Sequence, residues 1–323
     1  MLVLILDGKT ALSGAAEGIR LCLNTLVPSL FPFFILSALL TGALSGQAVP
    51  FLRPIAKACG IPRGAESLLA IGLLGGYPVG AQNVALLYRA GQLSHDQAAR
   101  MITFCNNAGP AFIFGILGSM FSDWRIPWLL WVIHILSALI VALSLPPCPD
   151  SKPAAPLNRE ICLTDALEQA VRVMALVCGW VILMRLVLSF LERWFLWLLP
   201  LPAQIAVCGI LELSNGCVRL GELSSEGVRF IIASGLLSLG GICVTLQTAS
   251  VTSGISMGLY FPGKLLGCCT SILLSCLVQP IFFPSQGGVI CFPAAIAAII
   301  GIICVISFRF SEIKGRISSP VGV

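Results

Sequence analysis

Long apolar runs separated by short polar punctuation make up most of this chain, and their spacing suits membrane-crossing helices, which need about 20 apolar residues each. The first run covers residues 18–44 and contains Pro28 and Pro32, so a kink or break is expected near Ser29-Leu30-Phe31. Residues 67–88 are apolar but interrupted at Gly75-Gly76-Tyr77-Pro78-Val79-Gly80. After the stop at Ala90-Gly91, Ser94 is placed to cap a new helix, with Gln97 as its capping-box partner. That helix runs into a second interruption, Cys105-Asn106-Asn107-Ala108-Gly109-Pro110, and resumes to about Met120. Residues 126–145 are uninterrupted, with Trp124, Trp128 and Trp131 near one end as an interfacial belt. A helix over 164–190, capped by Thr164 or Asp165, opens the second half, followed by apolar runs at 194–213, 228–246, 259–282 and 289–308. The pattern predicts an all-α, polytopic membrane helix bundle with about eight to ten embedded segments.

The interruptions carry the functional content. A helix that breaks inside a bilayer frees backbone groups that no water can satisfy, so breaks persist only when buried in protein or lining a wet cavity. Paired breaks in corresponding positions of two halves point to a transporter-like binding site. Here the halves correspond in order. Gly91-Gln92-Leu93-Ser94 is matched by Gly221-Glu222-Leu223-Ser224, and each is followed by a helix with an arginine in its second turn, Arg100 or Arg229. Both helices run into small residues, Ala108-Gly109 and Gly240-Gly241, and Glu17-Gly18-Ile19-Arg20 resembles the segment from Glu168 to Arg172. The sequence therefore reads as one membrane domain of two related repeats with broken or re-entrant helices: 1–146, a polar Pro-rich linker at 147–165, 166–308, and a basic tail at 309–323. Whether the copies are inverted or parallel stays open.

Composition sharpens this picture. Hydrophobic residues make up 57% of the chain and charged residues 10%, against about 25% charged in soluble domains; the mean hydropathy is +0.98. The net charge of +5 is scattered and gives no basic run for nucleic acid. Arg53, Lys57 and Arg63, with no acid among them, lean cytoplasmic by the positive-inside rule, as does the basic tail, and the uncharged Phe283 to Gly288 loop suits the outside. Asp7 ends the opening apolar run too soon for a signal peptide, so a retained interfacial helix is expected there. The 14 cysteines form no C-x-x-C pair; within apolar spans they act as small residues that permit close helix approach.

Glu212 is the most pointed candidate, a carboxylate at the end of an apolar run and beside Ser214, Asn215 and Gly216. A carboxylate at membrane depth faces a cavity, pairs, or is protonated; a structural partner in Arg185 or Arg219, or a helix-capping role, is the alternative. Arg185 itself either meets an anionic ligand or snorkels towards Glu192. Asn106 and Asn107 offer amides at a break, where an opened helix end adds directional polar groups; the alternative is that they only cap it. Pro78 marks the other break, and Gln82 and Asn83 point into the same cavity or form interhelical hydrogen bonds worth only about 0.6 kcal/mol each. Ser214, Asn215, Thr245 and Gln247 are the second-half counterparts. His134, on an apolar helix, reads as a neutral, hydrogen-bonded side chain, and His95 as a solvated one. No G-x-S-x-G, H-E-x-x-H or paired-Asp pattern supports an enzyme, and no cofactor or metal ligand set is expected.

Three blocks, Gly76-Tyr77-Pro78-Val79-Gly80-Ala81, Gly91-Gln92-Leu93-Ser94 and Phe104-Cys105-Asn106-Asn107-Ala108-Gly109-Pro110, resemble the first half of the sporulation integral membrane protein YlbJ family. Leu211-Glu212-Leu213-Ser214-Asn215-Gly216 is similar to its acidic second-half segment, and the resemblance covers most of the chain. That family falls in the nucleoside-recognition, or Gate-domain, group. The resemblance implies a multi-pass protein of the bacterial cell membrane with a role in sporulation such as spore-cortex formation. It fixes no solute, since fold does not fix function. Two functions compete: a carrier that binds a small polar solute between the repeats, and a non-transporting scaffold of the sporulation machinery. The expected partners are the lipid bilayer, that unknown solute and other sporulation membrane proteins, with a homo-oligomer left open.

Overall fold

The computed structural model describes residues 7–44, 49–146, 148, 161–284 and 293–303, and all regular structure among them is helical. The sequence builds its helices inside out relative to a soluble protein. Helix α7 (Arg125–Ser144) exposes Trp128, Val132, Leu136, Ile140 and Leu143 along one stripe and buries His134 and Ser137 with Leu130 and Ile133 on the other face. An apolar stripe turned outward with polar groups turned inward is what a hydrocarbon solvent selects. The numbering around α7 is α1 (Gly8–Leu44), α2 (Arg53–Ala58), α3 (Ser67–Leu74), α4 (Val79–Arg89), α5 (His95–Phe104) and α6 (Pro110–Met120). After it come α8 (Leu163–Trp194), α9 (Leu201–Leu211), α10 (Leu213–Arg219), α11 (Glu226–Leu239), α12 (Gly241–Val251), α13 (Tyr260–Phe282) and α14 (Pro293–Ile303). Five described helices are long and apolar enough to cross a membrane: α1, α7, α8, the α11–α12 pair and α13. The protein is a multi-pass membrane helix bundle.

The two broken segments of each half are of different kinds. Helices α3 and α4 fold back and pack against each other, and so do α9 and α10; in the second pair Gly216 lies so close to Gly209 that no side chain fits between them. These are hairpins. Their arms of 8 and 11 residues, and of 11 and 7 residues, are too short to span, because 11 residues rise only about 16 Å against about 30 Å of hydrocarbon. By contrast α5 and α6, and α11 and α12, follow one another without packing side by side. Each half therefore runs long helix, hairpin, broken helix, straight helix: α1, α3–α4, α5–α6, α7, then α8, α9–α10, α11–α12, α13. The long helices α1 and α8 lie along each other, and α13 packs on α11 and α7.

Arg100 and Arg229 both donate to carbonyls at helix ends. The buried Arg100 guanidinium donates to the carbonyls of Cys59 (2.6 Å), Ala142 (2.7 Å) and Pro146 (3.0 Å), at the C-terminal ends of α2 and α7. Arg229 donates to the Met120 carbonyl at the end of α6 and to that of Leu223. A cation at a helix C-terminus satisfies orphan carbonyls and opposes the dipole.

Several expectations need correcting. The chain does not break near Ser29-Leu30-Phe31; α1 is continuous and widens into a π-helical turn at Cys22–Leu26. Pro28 has no N–H to give the preceding turn, and the Ser29 hydroxyl takes up the Thr25 carbonyl at 2.6 Å. The second-half opening helix is capped by Cys162, with Asp165 as the reciprocal partner, so neither Thr164 nor Asp165 is the cap. The expected span over 194–213 is a loop followed by the first arm of a hairpin, because Glu212 leaves the helical region and turns the chain. The Ser94–Gln97 capping box forms as expected. The interfacial start at 1–6, most of the linker, the loop at 285–288 and the basic tail lie outside the described residues.

Candidate functional site

Each helix break is gripped by the hairpin of its own half. At the first, the unwound Cys105–Gly109 segment lies between the arms of the α3–α4 hairpin. Any Cβ at Gly72 or Gly80 would run into the Cys105 carbonyl, and Gly109 sits against Gly76 at the hairpin tip. The asparagines complete the join. Asn107 Nδ2 donates to the Phe104 carbonyl (2.6 Å) and to the Gly72 carbonyl (3.3 Å), and Asn106 Oδ1 accepts the Ala81 N–H at 3.3 Å. Asn106 Nδ2 donates in turn to Thr248 Oγ1 (2.8 Å) and Tyr260 Oη (3.1 Å), so one amide links both halves. These bonds satisfy the backbone groups that unwinding exposes.

At the second break, Gly240 and Gly241 take positive φ values of 73° and 80°, which only glycine adopts freely. A side chain on Gly241 would meet the Gly209 and Ile210 carbonyls of hairpin α9–α10. Tyr77, from the tip of the other hairpin, reaches across and donates to the Leu237 carbonyl at 3.2 Å.

Glu212 is the tip of hairpin α9–α10. Its carboxylate is buried and accepts from Ser214 N (3.0 Å), Asn215 N (2.7 Å) and Asn215 Nδ2 (2.7 Å). It caps α10 and pairs with neither arginine proposed for it. Arg185 instead joins Glu17 and Glu192, and Arg219 joins Glu192 (3.3 Å) and Glu222 (3.0 Å). Glu212 is thus a buried carboxylate held by hydrogen-bond donors of Ser214 and Asn215, and among the described residues no cation pairs with it.

Both hairpin tips and the first break open on one small, partly open cavity. Gly75, Gly76 and Tyr77 line it from the first tip, Ala108, Gly109 and Phe112 from the first break, Glu212 and Ser214 from the second tip, and Val244 and Gln247 from α12. Phe34 of α1 and Val177 and Val181 of α8 close the apolar side, while Phe33 and Leu74 are exposed. The space is mostly apolar with a few convergent polar groups, the usual make-up of a small-molecule site.

Of the residues expected from sequence, Glu212, Ser214 and Gln247 line the cavity. Asn215 stands one step back and fixes Glu212. Asn106 and Asn107 build the break rather than face the cavity. Pro78 is the N-cap of α4, in a cis Tyr77–Pro78 peptide. Asn83 is buried and donates to Val79 O (2.9 Å) and Thr41 Oγ1 (3.3 Å), with its Oδ1 left without a partner. Gln82 is half-buried on α4, and Thr245 bonds back to the Gly241 carbonyl at 3.0 Å. His134 is hydrogen-bonded as expected. Its Nε2 accepts the Ala108 N–H (3.1 Å), so Nδ1 is the nitrogen that faces Ser238 Oγ at 3.1 Å.

Lys264 was missed. It is 3% exposed and is the single charged residue of α13. Its ammonium donates to the Asn106 carbonyl, with Tyr77 Oη and Asn107 Oδ1 each at 3.4 Å. The signal was present: an ionisable residue inside a 23-residue apolar helix is a functional candidate by default.

An all-α multi-pass membrane protein with paired hairpins and broken helices around a central cavity is the class these features define. The chain is similar to the sporulation integral membrane protein YlbJ of Bacillus subtilis (strain 168), at 28% identity over 327 aligned residues that cover 85% of this chain and 79% of the relative. That likeness supports the YlbJ family. No family model and no solved structure matches the chain.

Proposed function

We propose that this protein is a carrier of the Gate-domain type in a bacterial cell membrane, binding a small polar solute between its two hairpin tips and serving sporulation, the role in its relative's name. The observation that carries the reading is the convergence of both tips, the first break and α12 on one cavity holding the Glu212 carboxylate. The α10 N–H groups are already taken by Glu212, so this end of the cavity offers acceptor oxygens. A solute with hydrogen-bond donors at one end and an apolar or ring-like face against Phe34, Phe112 and Tyr77 suits it. The solute is closed off as one tip moves against the other, with the stitched Asn106–Asn107 break as the fixed part.

The test is a thermal-shift screen of the purified protein with nucleosides, amino acids, dipicolinate and cell-wall precursors, followed by uptake into liposomes. A stabilising solute whose effect disappears in Glu212→Gln, with the variant still folded, supports the reading. Full sporulation with Glu212→Gln and with a filled cavity favours a scaffold that moves no solute.

A further inference from the structure

Lys264 lies where a broken helix leaves its most negative surface. Helix α5 ends at Phe104, and the carbonyls beyond it point out of any helical ladder. A helix C-terminus carries about half a negative charge, and in broken-helix carriers such ends and unwound carbonyls hold the coupling metal cation. At this break three oxygens surround one point: the main-chain carbonyl of Asn106, Asn107 Oδ1 and Tyr77 Oη. That point is occupied by Lys264 Nζ, a monovalent cation with three N–H donors for three acceptors. The rings of Tyr77 and Tyr260 flank it, their centroids 5.1 and 5.6 Å away, and add attraction for a cation. Among the described residues no carboxylate lies within ion-pair distance of it.

We propose that the Lys264 ammonium is the built-in cation of the first helix break, filling the place of a monovalent metal ion, so that the break holds its shape without sodium or potassium. The side chain comes from α13 in the second half and neutralises a helix end in the first, so it also ties the halves together. Beside it lies a small cleft lined by Thr103, Asn107, His134, Ser137 and Ser238, polar groups that would face an ion if the lysine were shortened.

The experiment uses the full chain in lipid nanodiscs, with thermal midpoints measured in sodium, potassium and choline chloride at equal ionic strength. The wild-type midpoint should be the same in all three. Lys264→Ala should fall in choline and regain at least half of the loss, saturably, in sodium or potassium. Lys264→Met, whose stem fills the space, should fall and regain nothing. A saturable alkali-ion effect on the wild type overturns the proposal, as does a Lys264→Ala midpoint equal to wild type or lowered alike in every salt. Should Lys264→Ala resist purification, its recovery from membranes prepared in sodium against choline gives the same reading: recovery only with the alkali ion supports it, and recovery in neither overturns it. No solute enters these measurements, so their failure and that of the solute-site reading are separate results.

Discussion

The ammonium of Lys264, on α13, donates to the main-chain carbonyl of Asn106 in the break between α5 and α6. A residue of the second half thereby closes a backbone gap in the first, and Asn106 returns the link through its amide to Thr248 and Tyr260. The halves are joined at their least regular points, where a bilayer tolerates unpaired backbone least.

The glycines that let hairpin and break approach are the first place to test this. Gly80→Val puts a branched side chain where even a Cβ overlaps the Cys105 carbonyl. It should cost several kcal/mol, as overpacking against backbone does, and sharply reduce folded protein in the membrane. Gly91→Ala is the control. Gly91 has a positive φ of 70° but open space around it, so only the backbone preference is lost, about 1 kcal/mol. Detergent-solubilised yield and melting midpoint separate the two; equal effects would deny the close approach.

Glu212 predicts a graded series. Glu212→Ala leaves Ser214 N, Asn215 N and Asn215 Nδ2 without their acceptor and should destabilise by about 1–3 kcal/mol for the unsatisfied buried donors. Glu212→Gln keeps one acceptor oxygen and should cost less than half of that, while removing the carboxylate offered to a solute. Melting midpoints rank the variants; an unchanged Glu212→Ala protein contradicts the capping geometry.

Filling the cavity separates fold from binding. Val177 lines it from α8. Val177→Phe should destabilise by no more than about 1–3 kcal/mol, the usual cost of added bulk beside a packed wall, since Val177 is itself buried. It should also abolish stabilisation by any solute found in the screen. A large loss of stability would mean that the space is not there.

Much of this was legible before the structure. Gly75 to Gly80 and Asn106 to Pro110 announce breaks because glycine, proline and amides are costly in an apolar helix unless something answers them, and both segments do break. The capping box at Ser94 followed from a local rule. Hairpin and span could not be told apart, since hydropathy counts apolar residues without saying whether the chain turns back; the Glu212 turn depends on Gly209 meeting Gly216 in three dimensions. Neither could the cavity wall be separated from its supports. Asn106, Asn107 and Asn215 have the right chemistry, but their partners, Gly72, Lys264 and Glu212, sit on other elements or across a turn. Lys264 alone was readable and passed over, because one lysine in a helix of apolar residues looks like a minor blemish until its neighbours are known.

The most direct measurement asks whether the two hairpin tips meet. In a background lacking the 14 native cysteines, Leu74→Cys and Ser214→Cys place one thiol beside each tip on the shared cavity. Convergence predicts that a short bifunctional thiol reagent joins them within one polypeptide in intact membranes. If each single cysteine is labelled readily by a small monofunctional reagent, yet no intramolecular bridge forms between the pair, the tips lie apart and the shared site does not exist.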